Sequence, residues 1–189
     1  MRHGQTEWSV SGQHTGNTDI PLTAAGEAEA AAMKERLAGH QYDLVLTSPL
    51  LRARETCERV GLGEFAQVRE ELREWDYGDY EGLTSPQIRE TRPDWNLWRD
   101  GCPGGDSPDA VAARCDILVE ELMAQASGGT GDAILFAHGH ILRSLAARWC
   151  EMPVSFGERL KLSTAAAGSL SFEHDVRTIG FWNRTALDP

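Results

Sequence analysis

Two histidine–glycine pairs stand far apart in this chain, His3-Gly4 and His138-Gly139, and the first follows Arg2 directly. A neutral imidazole is a nucleophile near neutral pH. The guanidinium beside it offers a planar fork of donors matched to phosphate oxygens. Gly4 lets the backbone approach an anion closely and turn sharply. Arg2-His3-Gly4-Gln5-Thr6 is therefore suited to gripping and attacking a phosphoryl group. Three residues recur by chance, and a single histidine after a strand is commonly structural, so the motif needs context. Its repetition at His138-Gly139, after the apolar run Ile134 to Ala137, points to chemistry rather than packing.

Two more residues stand where they could join such a site. Asp43 to Thr47 is a short apolar run that reads as a buried strand, and Ser48-Pro49 opens the next helix. The carboxyl end of a strand entering a helix is where open α/β sheets place ligands. Arg52 sits there as a candidate anion ligand; a solvated helix arginine is the alternative, which also describes Arg54. After the short strand Ala66-Gln67-Val68, the stretch Glu74 to Leu83 is a loop of acids and aromatics. Aromatic bulk around a carboxyl group can hold it protonated as a general acid. Glu74 is the candidate, because it stands at the strand's end. Ser9 to Asn17 is small, polar and Gly-rich, and reads as a loop: one wall of an anion pocket, or a surface connector.

The remaining elements form the scaffold. Ala24 through Leu37 is a helix with Thr23 as N-cap and Gly39 at its end. Thr84 to Trp98 is helical in pattern but interrupted by Pro93. Ser107-Pro108 starts a long helix running to about Ala126. Ser127 to Gly131 is a connector, and Gly168 to Phe172 with Val176 to Phe181 make a hairpin turning at His174. Only Met1 precedes Arg2. No strand is therefore expected to deliver the motif, leaving either a poorly anchored terminus or a true start upstream, with weak activity in the chain as written.

At 189 residues, with 41% hydrophobic and 25% charged residues, the chain is expected to fold as one domain over 1–189 with a substantial core. A net charge of −11 disfavours nucleic acid and anionic membranes as partners. It also requires any phosphate site to be a local positive pocket in a negative surface. No apolar run is long enough to span a bilayer, and no secretory signal is visible. Four scattered cysteines, Cys57, Cys102, Cys115 and Cys150, suggest free thiols in a reducing cytoplasm.

With Arg2-His3-Gly4, Arg52, Glu74 and His138-Gly139 in that order, the chain resembles the histidine phosphatase superfamily, the phosphoglycerate mutase-like group. The flanking residues Gln13-His14-Thr15-Gly16, Leu50 to Arg54, Glu74 to Gly78 and Ala137 to His140 look most like its small acid phosphatase and sedoheptulose bisphosphatase members. The resemblance implies a three-layer α/β/α sandwich around a mostly parallel sheet, lacking the usual first strand. It implies His3 as phosphorylated nucleophile and Glu74 as proton donor, with Arg2, Arg52 and His138 around the phosphate. Ser9, Thr15, Gly16, Tyr77 and Gly139 would contact substrate, a small phosphorylated molecule such as a sugar phosphate, with no metal or other cofactor. Mutase members carry Asn at the place of Ser9 and a longer basic insertion where Leu83 to Pro103 is short, which favours water as acceptor. A cofactor-dependent mutase and an inactive phospholigand- or protein-binding homologue are the alternatives. The aromatics Trp75, Tyr77, Tyr80, Trp95 and Trp98 would line a pocket or fill the core. Oligomeric state, monomer or homodimer, stays open.

Overall fold

The computed structural model describes residues 1–127 and 131–188. The connector expected at Ser127 to Gly131 falls largely outside the described residues.

Three parallel strands form the centre: β1 (Tyr42–Thr47), β2 (Ala66–Val68) and β3 (Asp132–Phe136), in the order β2-β1-β3. Val45 pairs with Ile134 and Leu46 with Leu135. Because successive side chains leave a strand on opposite faces, these apolar runs must be covered on both sides. Val45, Ile134 and Phe136 pack with Met33 of helix α2 (Ala24–Leu37) and Cys57 of helix α3 (Leu51–Arg59). Leu46 and Ala137 pack with Leu118 of α6 (Pro108–Ser127) and with Ile141 and Leu145 of α7 (Gly139–Trp149). That is the α/β/α sandwich expected from the resemblance. Each such fully buried side chain contributes about 1.5–3 kcal/mol by leaving water.

The other helices are short: α1 (Glu7–Ser11), α4 (Ser85–Thr91) and α5 (Leu97–Asp100). The break between α4 and α5 falls around Pro93, and Thr23 caps α2 through Gly26, both as the sequence suggests. Helix α1 differs from the loop expected at Ser9 to Asn17. Thr6 and Ser9 bond each other's backbone N–H in a capping box, and Gly12 ends the turn in the left-handed region at φ 79°. Strands β4 (Ala167–Glu173) and β5 (Val176–Arg184) pair antiparallel as the expected hairpin, turning at His174.

The N-terminus corrects the expectation of poor anchoring. Residues 1–3 lie beside β3, with Ala137 N–H bonding Met1 O at 3.1 Å and His3 N–H bonding Ala137 O at 2.9 Å. On the other side Arg2 N–H bonds Ala166 O, and Ala165 N–H bonds His3 O. The two bonds with Ala137 make a short parallel bridge, Arg2 to Ala137, that delivers the motif from the sheet, and the two with Ala165 and Ala166 brace its other side. Before Leu135 the outer edge of β3 has no strand partner among the described residues, and there a cavity of about 640 Å³ opens between β3 and β4.

Candidate active site

The bridge between Arg2 and Ala137 places the two His-Gly pairs side by side at the carboxyl end of the sheet. The rings of His3 and His138 lie 5.2 Å apart, tilted by 56°. Both are buried. His3 Nδ1 is 2.7 Å from the carbonyl of Gly4. A carbonyl only accepts, so the proton sits on Nδ1 and Nε2 keeps its lone pair. Burial, together with Arg2 and Arg52, holds His3 well below the usual histidine range, so the ring is neutral near pH 7.

Backbone packing fixes that ring. A Cβ on Gly4 would stand 2.3 Å from Gly26 O, and one on Gly26 would stand 2.1 Å from Gln5 O. The loop after His3 thus rests directly on α2. Gly4 is not in the left-handed region, so close approach to a helix, rather than a turn around an anion, demands glycine here.

Arg52 is fully buried rather than solvated, while Arg54 is exposed. Its Nε donates to His138 Nδ1 at 3.1 Å, Nη1 to Thr18 O, and Nη2 to the carbonyls of Thr15 and Gly16, each at 3.0 Å. Since His138 Nδ1 accepts, neutral His138 carries its proton on Nε2 and donates it to Ser48 Oγ at 2.8 Å. Burial and the charge of Arg52 hold His138 well below its ordinary range. Arg52 stands behind His138 and does not line the small cavity in front of His3.

That cavity, of about 110 Å³, is lined by Arg2, His3, Ser9, Thr15, Glu74 and Tyr77, with Thr6, Gln13, Gly139, His140, Arg143 and Leu162 completing its wall. Arg2 Nη1 donates to Leu162 O at 2.7 Å, but its buried Nε has no hydrogen-bond partner among the described residues. It lies against Gly139, where a Cβ would come within 3.4 Å of it. Glu74 arrives by a 3₁₀ turn, Glu70–Leu72, after β2 rather than from the strand's end. Its Oε1 accepts from Trp75 N and Ile141 N, and its Oε2 from His140 N at 2.9 Å. The first turn of α7 therefore holds the carboxyl group in place.

The other candidates divide. Thr15 and Tyr77 line the cavity; Tyr77 OH and His140 Nδ1 share a hydrogen bond of 2.7 Å. Ser9 lines it too, but its hydroxyl already bonds the backbone of Thr6. Gly16 stands outside, its N–H on Glu81 and its carbonyl on Arg52. Of the five aromatics singled out in the sequence, only Tyr77 reaches the cavity; Trp75, Tyr80, Trp95 and Trp98 are core.

Two residues escaped sequence reasoning. Glu81 binds the N–H groups of Gly16 and Thr18, fixing the loop whose carbonyls hold Arg52. Ser48, which reads in sequence only as a helix opener, receives the His138 proton. The position of Ser48 at a strand's carboxyl end was a usable signal; Glu81 lay hidden in a run of acids. Among the described residues no cluster of three or more His, Cys, Asp or Glu could hold a metal ion.

The family model for "Histidine phosphatase superfamily (branch 1)" matches residues 1–185. The chain belongs to this superfamily. It is 40% identical over 181 residues to an acid phosphatase of Mycobacterium tuberculosis, covering 95% of this chain and 88% of that protein. It is 38% identical to a sedoheptulose 1,7-bisphosphatase of Saccharomyces cerevisiae over 79% of this chain and 65% of the relative. A 2,3-bisphosphoglycerate-dependent phosphoglycerate mutase of Methylobacterium radiotolerans is 38% identical over 77% and 74%. The solved structure of an open reading frame product from M. tuberculosis superposes with a TM-score of 0.93 at 40% identity, over 98% of this chain and 95% of that one. The α/β fold of this histidine phosphatase superfamily member is thus that of its phosphoglycerate mutase-like neighbours.

Proposed function

We propose that this protein hydrolyses small phosphate monoesters, sugar phosphates among them, through a phosphohistidine on His3. The observation that carries the reading is Arg2, with its buried Nε unpartnered among the described residues, lining one cavity with a neutral His3. A buried guanidinium donor without an acceptor is costly, and a phosphate oxygen supplies one. The names of the acid phosphatase and sedoheptulose bisphosphatase relatives support the same chemistry.

His3 Nε2 attacks phosphorus as the P–O bond to the alcohol breaks. Glu74 Oε2 gives its proton to the departing oxygen, so the alcohol leaves neutral. The resulting carboxylate then takes a proton from water as that water attacks the phosphohistidine, returning His3 and releasing phosphate. Arg2 holds the equatorial oxygens. Arg52 adds positive potential from behind and fixes the His138 ring, while Thr15, Tyr77 and Gly139 shape the approach. No step calls for a metal. Four free thiols, three of them buried, fit a reducing cytoplasm. Among the described residues no helix is long and apolar enough to cross a membrane.

The test is quenched turnover of phenyl phosphate, with acid-labile phosphate expected on His3 and released phosphate in solution. Formation of 2-phosphoglycerate from 3-phosphoglycerate, in place of inorganic phosphate, would instead establish a mutase. Absence of both would leave a binding homologue.

A further inference from the structure

Arg143 is the one cationic residue at the cavity that the scheme above leaves unused. It lies one turn beyond His140 on α7, and both line the cavity. Its Nε donates to Gly157 O at 2.9 Å and its Nη2 to Glu158 O at 3.0 Å. The guanidinium also stacks on Trp98 at 4.7 Å from the ring centre. The group is therefore rigid, and its remaining nitrogen, Nη1, makes no hydrogen bond among the described residues.

Other part-buried arginines of this acidic chain are neutralised. Arg69, Arg114 and Arg148 each hold a carboxylate within 2.8 Å. Arg143 has two carbonyls but no carboxylate in ion-pair range among the described residues. In a protein with 29 acidic and 18 basic side chains, this guanidinium is left without a carboxylate partner among the described residues. Arg2 is in the same condition, with one carbonyl partner and an orphaned Nε. Leu162, whose carbonyl Arg2 holds, completes the wall they share.

We propose that Arg143 is a specificity-determining residue that selects phosphate monoesters carrying a second anionic group on the alcohol portion. The proposal rests on the phosphatase reading above. Arg2 and His3 would take the reacting phosphate while the free Nη1 edge of Arg143 meets the second anion, a carboxylate or another phosphate. With its fork engaged by backbone carbonyls, Arg143 offers a single end-on contact. It therefore acts on substrate selection rather than on the transition state.

The first experiment compares phenyl phosphate with 4-carboxyphenyl phosphate on the unaltered protein, and a hexose monophosphate with a hexose bisphosphate. The doubly anionic ester of at least one pair is expected to be preferred about tenfold in kcat/KM, through KM, with the preference shrinking as salt is added. The pair that shows it tells carboxylate from phosphate. Arg143→Met is expected to erase that preference, read as the ratio of kcat/KM within the pair, and Arg143→Lys to restore part of it. Equal rates within both pairs on the unaltered protein would overturn the proposal. So would Met and Lys variants that lower both substrates alike, since Arg143 would then serve only to tie the Gly157–Glu158 segment to α7. Thermal midpoints of both variants separate that structural loss from lost recognition. If phenyl phosphate is not hydrolysed at all, the phosphatase reading itself fails, a result distinct from either.

Discussion

The two ends of the central sheet are built in opposite ways. At the carboxyl end, imidazoles, guanidiniums and a carboxylate interlock, and the one orphaned buried side-chain atom among the described residues is Arg2 Nε. At the amino end, apolar residues such as Leu145, Trp149 and Leu170 surround a cavity about six times larger than the one at His3. The difference teaches that cavity size and chemistry are separate questions. Among the described residues the large void has no buried charged side chain in its wall, while the small one is walled by Arg2 and Glu74. Polar order is concentrated where phosphorus would react, and packing is left loose elsewhere.

The largest effect should come from the ordered end. His3→Ala is expected to lower turnover of phenyl phosphate by at least about 1,000-fold and to abolish phosphohistidine. Retained activity would move the chemistry elsewhere. Glu74→Gln should slow turnover by roughly 10²–10⁴-fold, most for esters of poorly acidic alcohols that need the proton. An equal loss on aryl and alkyl esters would deny it that role. Glu81→Ala tests whether order at this end is cooperative. Leaving the Gly16 and Thr18 N–H groups unpaired should cost about 1–3 kcal/mol in urea unfolding and about tenfold in kcat/KM. Unchanged activity would uncouple Arg52 from the loop.

Acid provides a graded test of the same end. His3, His138 and His140 are held well below 6.5 by burial and neighbouring arginines, and burial takes His14 to about 4. The unfolded chain therefore binds protons that the folded chain refuses. Their stabilising contribution is complete above pH 6.5 and declines as pH falls toward the folded values. The slope reaches at most about 1.4 kcal/mol per pH unit for each ring. Urea midpoints should fall more steeply from pH 6.5 to 5 than above pH 7; a flat profile down to 5 would show the rings exposed. The smallest effect belongs to the loose end. Ala133→Leu, projecting into the large cavity, should add about 0.5–2 kcal/mol of stability and leave kcat within about twofold. A large loss of activity would show the two ends to be coupled.

Much of this was legible in the sequence because local signals agreed. The apolar run at β1 and β3, Thr23 before α2, and Pro108 opening α6 each act within a few residues. The pairing of His3 with His138 could be read from the repeated His-Gly, since both follow the same strand-end logic. What could not be read depends on long-range partners. Arg52 was expected to face the anion, but only the folded loop reveals the carbonyls of Thr15, Gly16 and Thr18 that hold it. Gly16 looked like a substrate contact because its commitment to Glu81 spans 65 residues. The anchoring of residues 1–3 was missed for the same reason, as its partners Ala137 and Ala166 lie at the far end of the chain.

The contact of Gly4 with Gly26 has an evolutionary consequence. His3 takes its orientation from the carbonyl of Gly4, whose N–H is held by Thr56 Oγ1 of α3 and whose backbone rests on the main chain of α2. The outward positions of α2 are therefore free to drift in identity while the imidazole stays in register. The two glycines are denied that freedom, and so are Thr56 and Glu29, whose side chains hold the N–H groups of Gly4 and Gln5.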